Sequence, residues 1–154
     1  NYLIFRLPFV YGCGMRSNLG MIFKFIENSL PFFIFDDELD MKKSFLSVNN
    51  INNIIKMTIF NDSYYNEIFN LSDHEPISLS SMICSYKKIT NSKSMLINIS
   101  KKKFYILRNI PILNSIIKKV FGNFVLDNSK INSFYDEKLL DTHEGIKNYI
   151  ETKI

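Results

Sequence analysis

The sequence predicts an α/β fold, and three observations carry that expectation. Short segments rich in aromatic and β-branched residues recur at 2–6, 32–35, 44–48, 67–71 and 95–99. Between them lie stretches whose apolar residues repeat at helical spacing, most of them opened by an Asn, Ser or Asp able to cap a helix. The composition, 46% hydrophobic and 22% charged, suits a chain that builds a core. Strands alternating with helices bury one another's apolar faces in layers.

Taken in order, Tyr2-Leu3-Ile4-Phe5-Arg6 reads as a buried strand. Pro8 to Gly14 reads as a loop, since it contains a proline and two glycines. Asn18 is placed to cap a helix whose apolar face is Met21, Ile22, Phe25, Ile26 and Leu30, with Pro31 ending it. Phe32–Phe35 is a short strand, and the acidic Asp36-Asp37-Glu38 with Asp40 is a loop or hairpin tip. Ser44–Val48 is a strand, after which Asn49 or Asn50 caps a helix to about Phe60. Glu67–Leu71 is a strand, Ser72–Pro76 a turn, and Ser78 the cap of a helix through Ile89. Met95–Ile99 is a strand. Lys101–Phe121 reads as helix interrupted at Pro111, with Ile110, Leu113, Ile117 and Val120 on one apolar face. Val125–Leu126 is a short strand and Ser129–Phe134 a helical turn. Asp141-Thr142-His143-Glu144 is a capping box that opens a last helix.

At 154 residues the chain suits one ordinary domain, and composition marks no internal boundary. Strand-like sequence from the first residues leads us to expect the back part of a longer protein. No stretch approaches the ~20 apolar residues of a membrane span, and no basic leader precedes the apolar start, so the expected compartment is the cytoplasm. The net charge of +4 is spread over scattered lysines, with one tight run at Lys101-Lys102-Lys103. No aromatic-interleaved recognition motif accompanies it, so nucleic acid is not an expected partner. Cys13 and Cys84 belong to no CxxC pair and are expected as packed, reduced thiols. His74 and His143 are isolated, so no metal site is expected.

Arg6-Leu7-Pro8-Phe9-Val10-Tyr11-Gly12-Cys13-Gly14 resembles the R-x-P-x-V-Y-G-P-G segment of the extended short-chain dehydrogenase/reductases, the NAD-dependent nucleotide-sugar epimerases and dehydratases. Asn18 stands where a 4-epimerase-like branch has K-x-N-F. Lys43-Ser44-Phe45-Leu46-Ser47-Val48-Asn49-Asn50-Ile51 resembles its R-S-x-x-S-V-x-N-L block. Ile68-Phe69-Asn70-Leu71-Ser72-Asp73 with Pro76-Ile77-Ser78 is similar to its F-x-V-S-D strand, turn and helix cap. Asp127-Asn128-Ser129-Lys130 and Glu144-Gly145-Ile146 echo its D-x-S-K and E-E-G-L signatures. Order and spacing are kept along nearly the whole chain.

The resemblance implies the carboxy-terminal part of such a Rossmann fold with its small substrate-binding lobe, the amino-terminal dinucleotide-binding half being absent. It implies a nucleotide-sugar substrate and an NAD cofactor held mainly by that absent half. Within this chain, Pro8 and Val10 would meet the cofactor, while Phe9, Asn18 and Lys43 would meet the substrate. Asn18 as a plain helix cap and Lys43 as a surface lysine remain alternatives, with Lys42 the substitute if the register slips. Lys43 stands where the family has Arg, and Cys13 where it has Pro. No catalytic residue is expected here, because the family's Y-x-x-x-K lies upstream and the Tyr149/Lys153 match falls in the last helix. The implied activity is a UDP-hexose or UDP-N-acetylhexosamine 4-epimerase. A 4,6-dehydratase, a 4-ketoreductase and a non-catalytic NAD-binding relative stay open, as does a homodimer of the full-length protein. The 154 residues alone are expected to be inactive.

Overall fold

A computed structural model describes residues 1–36, 41–100, 102–103, 123–134 and 139–153. The Ile110 stripe and most of the helix expected over Lys101–Phe121, with Lys101 itself and most of the acidic tip, lie outside them. The chain forms two compact units, each assembled from separate segments: unit 1 is Asn1–Met15, Ser44–Pro76 and Val125–Ile154, and unit 2 is Arg16–Lys43 with Ile77–Phe124. Composition did not mark this division because the chain crosses between units four times, with no linker of its own composition.

Unit 1 holds two parallel strand pairs. β1 (Leu3–Arg6) pairs with β6 (Glu67–Asn70) in the register Leu3↔Glu67 to Arg6↔Asn70. β2 (Phe9–Tyr11) pairs with β5 (Phe45–Ser47). The predicted strand at the start of the chain is therefore present and parallel. β2, however, lies inside the segment read as loop: Pro8 lacks an N–H, so the ladder begins just after it, on the β-favouring Phe9-Val10-Tyr11. Behind these strands stand α2 (Val48–Thr58), a 3-10 turn at Asp62–Tyr64, and two further helices at Ser129–Phe134 and Thr142–Glu151. Leu46, Ile54, Tyr64, Phe69, Leu71, Ile131 and Leu139 form the core.

Unit 2 contains α1 (Asn18–Glu27) and α3 (Leu79–Ile89), the parallel pair β3 (Phe32–Phe35) with β8 (Leu96–Ile99), and the antiparallel pair β4 (Lys42–Lys43) with β7 (Ile77–Ser78). The last two helices of unit 1 follow in chain order as α4 (Ser129–Phe134) and α5 (Thr142–Glu151). Phe23 of α1 stacks on Tyr86 of α3 with ring centroids 3.7 Å apart. That contact fixes which face of α1 is buried. Leu19, Gly20, Phe23 and Ile26 turn inward, whereas Met21, Phe25 and Leu30 from the expected face are exposed.

The caps also differ from expectation. Ser17, not Asn18, caps α1 by accepting the Gly20 N–H at 3.4 Å. Ser47, not Asn49 or Asn50, caps α2 by accepting the Asn49 N–H at 3.2 Å. Ser78 and Asp141 cap as expected, Asp141 within a full capping box. Val125–Leu126 is not a strand. One bridge joins Phe124 to Lys43, and the Leu126 N–H then donates to the Ser44 hydroxyl at 3.0 Å, so the ladder has no second rung. Cys13 and Cys84 are exposed rather than packed: Cys13 rides a turn between two glycines, and Cys84 lies between the buried positions of α3. No helix among the described residues is long and apolar enough to cross a membrane.

Candidate functional site

In open parallel sheets, ligands settle beyond the carboxyl ends of the strands. In unit 1, Tyr11 ends β2 and Ser47 ends β5, and the two residues are register partners. Beside them lies Asp73, three residues past β6 and 1% exposed. Its Oδ1 accepts the Ser47 N–H and the Asn50 Nδ2, both at 2.8 Å. Its Oδ2 accepts the Tyr11 hydroxyl at 2.7 Å and the Thr142 hydroxyl at 3.1 Å. The Asp73 N–H donates to the Phe45 carbonyl at 2.7 Å. No cation is among these partners. Instead the carboxylate accepts from Ser47, the cap of α2, and Thr142, the first residue of α5, at helix ends where the dipole carries partial positive charge. Asn50 continues the network, bonding both the N–H and the carbonyl of Leu140 at 3.1 Å.

Burial pushes the Asp73 carboxyl above its ordinary value, and the hydrogen bonds from Ser47, Tyr11, Asn50 and Thr142 offset part of that rise. The Tyr11 phenol is also pushed up, first by burial and then by the Asp73 charge, so it remains a donor at neutral pH rather than a base. Because the folded-state value of Asp73 is raised, the folded protein keeps a proton that the unfolded chain has already released. The contribution is complete below the ordinary carboxylate range and is lost as pH rises through the folded value. Stability measured against Asp73→Asn, which does not titrate, is expected to decline with rising pH in the window just above that range. Urea denaturation at a series of pH values checks the sign.

Two glycines frame the network. A Cβ at Gly145 would lie 2.0 Å from the Tyr11 hydroxyl oxygen, so α5 passes Tyr11 at a distance only glycine allows. Gly12 has φ 143° and a Cβ there would meet Val48 at 2.8 Å, which fixes the turn against the start of α2. At the far side of β6, Lys130 bonds Glu67 at 2.5 Å and stands 5.0 Å from the Phe69 ring centroid, and the Asp127 Oδ1 accepts the Ser129 N–H at 2.9 Å. The Asp127-Asn128-Ser129-Lys130 block thus docks α4 on β6.

The residues expected at a binding site divide between the units. Pro8, Phe9 and Val10 lie together at the start of β2 in unit 1. Phe9 is 43% exposed with its ring 6.1 Å from that of Phe45, while Pro8 and Val10 are half-buried. Asn18 and Lys43 lie in unit 2. Asn18 is an exposed first residue of α1, not its cap. Lys43 is 3% exposed, which corrects the reading of it as a surface lysine, while the adjacent Lys42 faces the other way and is exposed. In the sequence, Asn50 has only a candidate capping role, Thr142 only a place in the capping box, and Asp73 and Gly145 only a place in the resembling blocks, with none of the four expected at a binding site. A buried acid in Ser72-Asp73-His74-Glu75 has no local signal to distinguish it from a solvated turn.

No protein-family profile matches the sequence. No curated protein matches it either. Solved structures do. A dTDP-4-dehydrorhamnose reductase from Bacillus anthracis, in complex with NADP, superposes with a TM-score of 0.73 at 12% identity, over 99% of this chain and 49% of its own. A UDP-glucose 4-epimerase from Thermotoga maritima, with UDP-glucose, gives 0.65 at 16% identity over 97% and 45%. A dTDP-glucose 4,6-dehydratase from Bacillus anthracis, in complex with NAD, gives 0.66 at 9% identity over 97% and 43%. The chain spans about half the length of these structures. Over that half it has the fold of the extended short-chain dehydrogenase/reductases.

Proposed function

We infer that the chain is the carboxy-terminal, substrate-binding half of an NAD-dependent nucleotide-sugar enzyme, a UDP-hexose or UDP-N-acetylhexosamine 4-epimerase. The observation that carries the reading is a fold match over 97–99% of the chain to an epimerase, a dehydratase and a reductase that share one architecture. The ordered sequence blocks favour the epimerase among the three. The higher TM-scores of two dTDP-4-dehydrorhamnose reductases, 0.73 and 0.71, support a 4-ketoreductase as the second reading.

When bound, NAD supplies reversible hydride acceptance. The residues here suit one end of it. Pro8 and Val10 offer an apolar wall for a flat ring at the start of β2, and the exposed Phe9 between them offers a face to the sugar. The Gly12–Gly14 turn has Ser17 where the G-x-G-x-x-G spacing places its third glycine, so it is no cradle for the dinucleotide's diphosphate. That part of the cofactor belongs to the half that precedes Asn1 in this reading. The sugar nucleotide's own diphosphate falls to Asn18 and Lys43.

Two measurements test the reading. The chain joined to its amino-terminal half interconverts UDP-glucose and UDP-galactose, or their N-acetyl forms, with no net change in nicotinamide absorbance. Net oxidation of NAD(P)H on a 4-keto sugar supports the ketoreductase instead, and neither activity removes both. In the same protein, Lys43→Ala is expected to weaken nucleotide-sugar binding by about 1.5–3 kcal/mol, the range of a charge-assisted hydrogen bond. Lys43→Arg holds or improves it, and Lys42→Ala leaves it unchanged. Calorimetric titration with UDP and a UDP-hexose reads all three, and equal affinities for wild type and Lys43→Ala remove Lys43 from the site.

A further inference from the structure

Unit 1 is assembled from three separate chain segments, and all three meet at one carboxylate. Tyr11 comes from the first, Ser47, Asn50 and Asp73 from the second, and Thr142 from the third. The Tyr11 hydroxyl donates to Asp73 while its ring passes Gly145 at a distance no larger residue permits. Immediately after Tyr11 the backbone turns through Gly12 and Gly14, both at positive φ, and the Met15 N–H closes the turn on the Gly12 carbonyl at 3.3 Å. Immediately before Tyr11 stand Phe9 and Val10. β2 is three residues long and has one described partner strand, so its ladder alone holds it weakly. The side-chain anchor at its carboxyl end is the Tyr11 hydroxyl, which donates to Asp73 at 2.7 Å and has the Thr142 carbonyl as a longer second acceptor at 3.3 Å.

We propose that Asp73 is a positioning residue: through the Tyr11 hydroxyl it fixes the course of Phe9–Gly14, and by doing so sets the affinity of that segment for the nucleotide ligand. Asp73 itself touches no ligand, being buried behind Tyr11, Ser47 and Thr142. The part concerning affinity rests on the proposed function; the part concerning the segment's course does not.

The test uses the 154-residue chain with Tyr11→Phe and Asp73→Asn, which keep the ring and the side-chain shape. Residue-resolved amide hydrogen exchange is read at 9–14, at β6 and at α3. The expected result is exchange at least tenfold faster across 9–14 in Tyr11→Phe and several-fold faster in Asp73→Asn, whose amide keeps a weaker, reversed bond to Tyr11, with a smaller rise at β6 and none at α3. Unchanged exchange at 9–14 overturns the proposal. An equal rise at β6 or α3 also overturns it, because Asp73 would then act as a general stabiliser. A second arm, on the chain joined to its amino-terminal half, reads UDP-hexose affinity by calorimetry. Tyr11→Phe is expected to weaken it several-fold with the midpoint of thermal unfolding shifted by only a few degrees. Wild-type protein that binds no nucleotide sugar would end the proposed function and leave the exchange result to decide the role of Asp73. Wild-type affinity in Tyr11→Phe, with faster exchange at 9–14, would overturn the part concerning affinity.

Discussion

Gly145→Ala is expected to destabilise unit 1 by about 3–5 kcal/mol, a large effect for one methyl group. The added Cβ would sit 2.0 Å from the Tyr11 hydroxyl oxygen, 3.0 Å from the adjacent ring carbon and 3.2 Å from the Ser47 Cβ. Tyr11 is wholly buried, so the ring has no open space to enter. Relief requires α5 to move out or the phenol to leave Asp73. Overpacking of a tight interior costs roughly 1–3 kcal/mol. A buried hydrogen bond to a charged group adds about 1.5–3 kcal/mol when broken. Gly14 is the internal comparison, since nothing lies within 4 Å of a Cβ there, although its φ of 78° adds backbone strain to any substitution. Urea denaturation of Gly145→Ala and Gly14→Ala separates the two. A loss below about 1 kcal/mol at Gly145 would mean that Tyr11 is not held where the structure places it.

The second large effect is expected at Asp73. Removing its side chain in Asp73→Ala leaves the Ser47 N–H, the Asn50 amide and the Thr142 hydroxyl without their acceptor in a buried place. Tyr11 retains one outlet, the Thr142 carbonyl at 3.3 Å. An unsatisfied buried donor costs about 1–3 kcal/mol, so a total of about 4 kcal/mol is expected after some relaxation. Asp73→Asn keeps one oxygen for Ser47 and Asn50 and offers an N–H₂ to the hydroxyls of Tyr11 and Thr142, which can turn to accept. Its cost is expected to be about 1–2 kcal/mol. The ratio matters more than either number. Equal losses would show that the charge, rather than the set of acceptors, holds the site together.

Much of the fold was legible because the strands and helices differ in period and several caps are unambiguous. Ser78 and Asp141 begin their helices where the sequence places them, and Leu3–Arg6 of the expected strand 2–6 run parallel to a partner as an alternating α/β chain requires. The failures have physical causes. Leu19 to Ile26 is apolar on nearly every side, so the sequence allows more than one buried face for α1, and the stacking of Phe23 on Tyr86 selects among them. Lys42 and Lys43 are adjacent and chemically alike, and their opposite exposure follows from the alternation of a strand whose orientation only tertiary pairing sets. The candidate site was legible as ordered blocks but not as a network. Tyr11 and Thr142 are 131 residues apart, and no local pattern announces that one carboxylate will gather their hydroxyls.

The interleaving of the segments has a consequence for how the protein is made. A polypeptide leaves the ribosome from its amino end, and a domain can close only when all its parts have emerged. Unit 2 has its full chain once Phe124 is out. Unit 1 does not: Tyr11, made 131 residues before Thr142, waits for Gly145 to wall its ring and for Thr142 to complete the donors around Asp73. Closing so long a loop is entropically slow compared with local contacts. A nascent chain halted between Phe124 and Thr142 would therefore carry one finished body and one still open, with the apolar side chains of β1 and β6 waiting for the segment Val125–Ile154 to arrive.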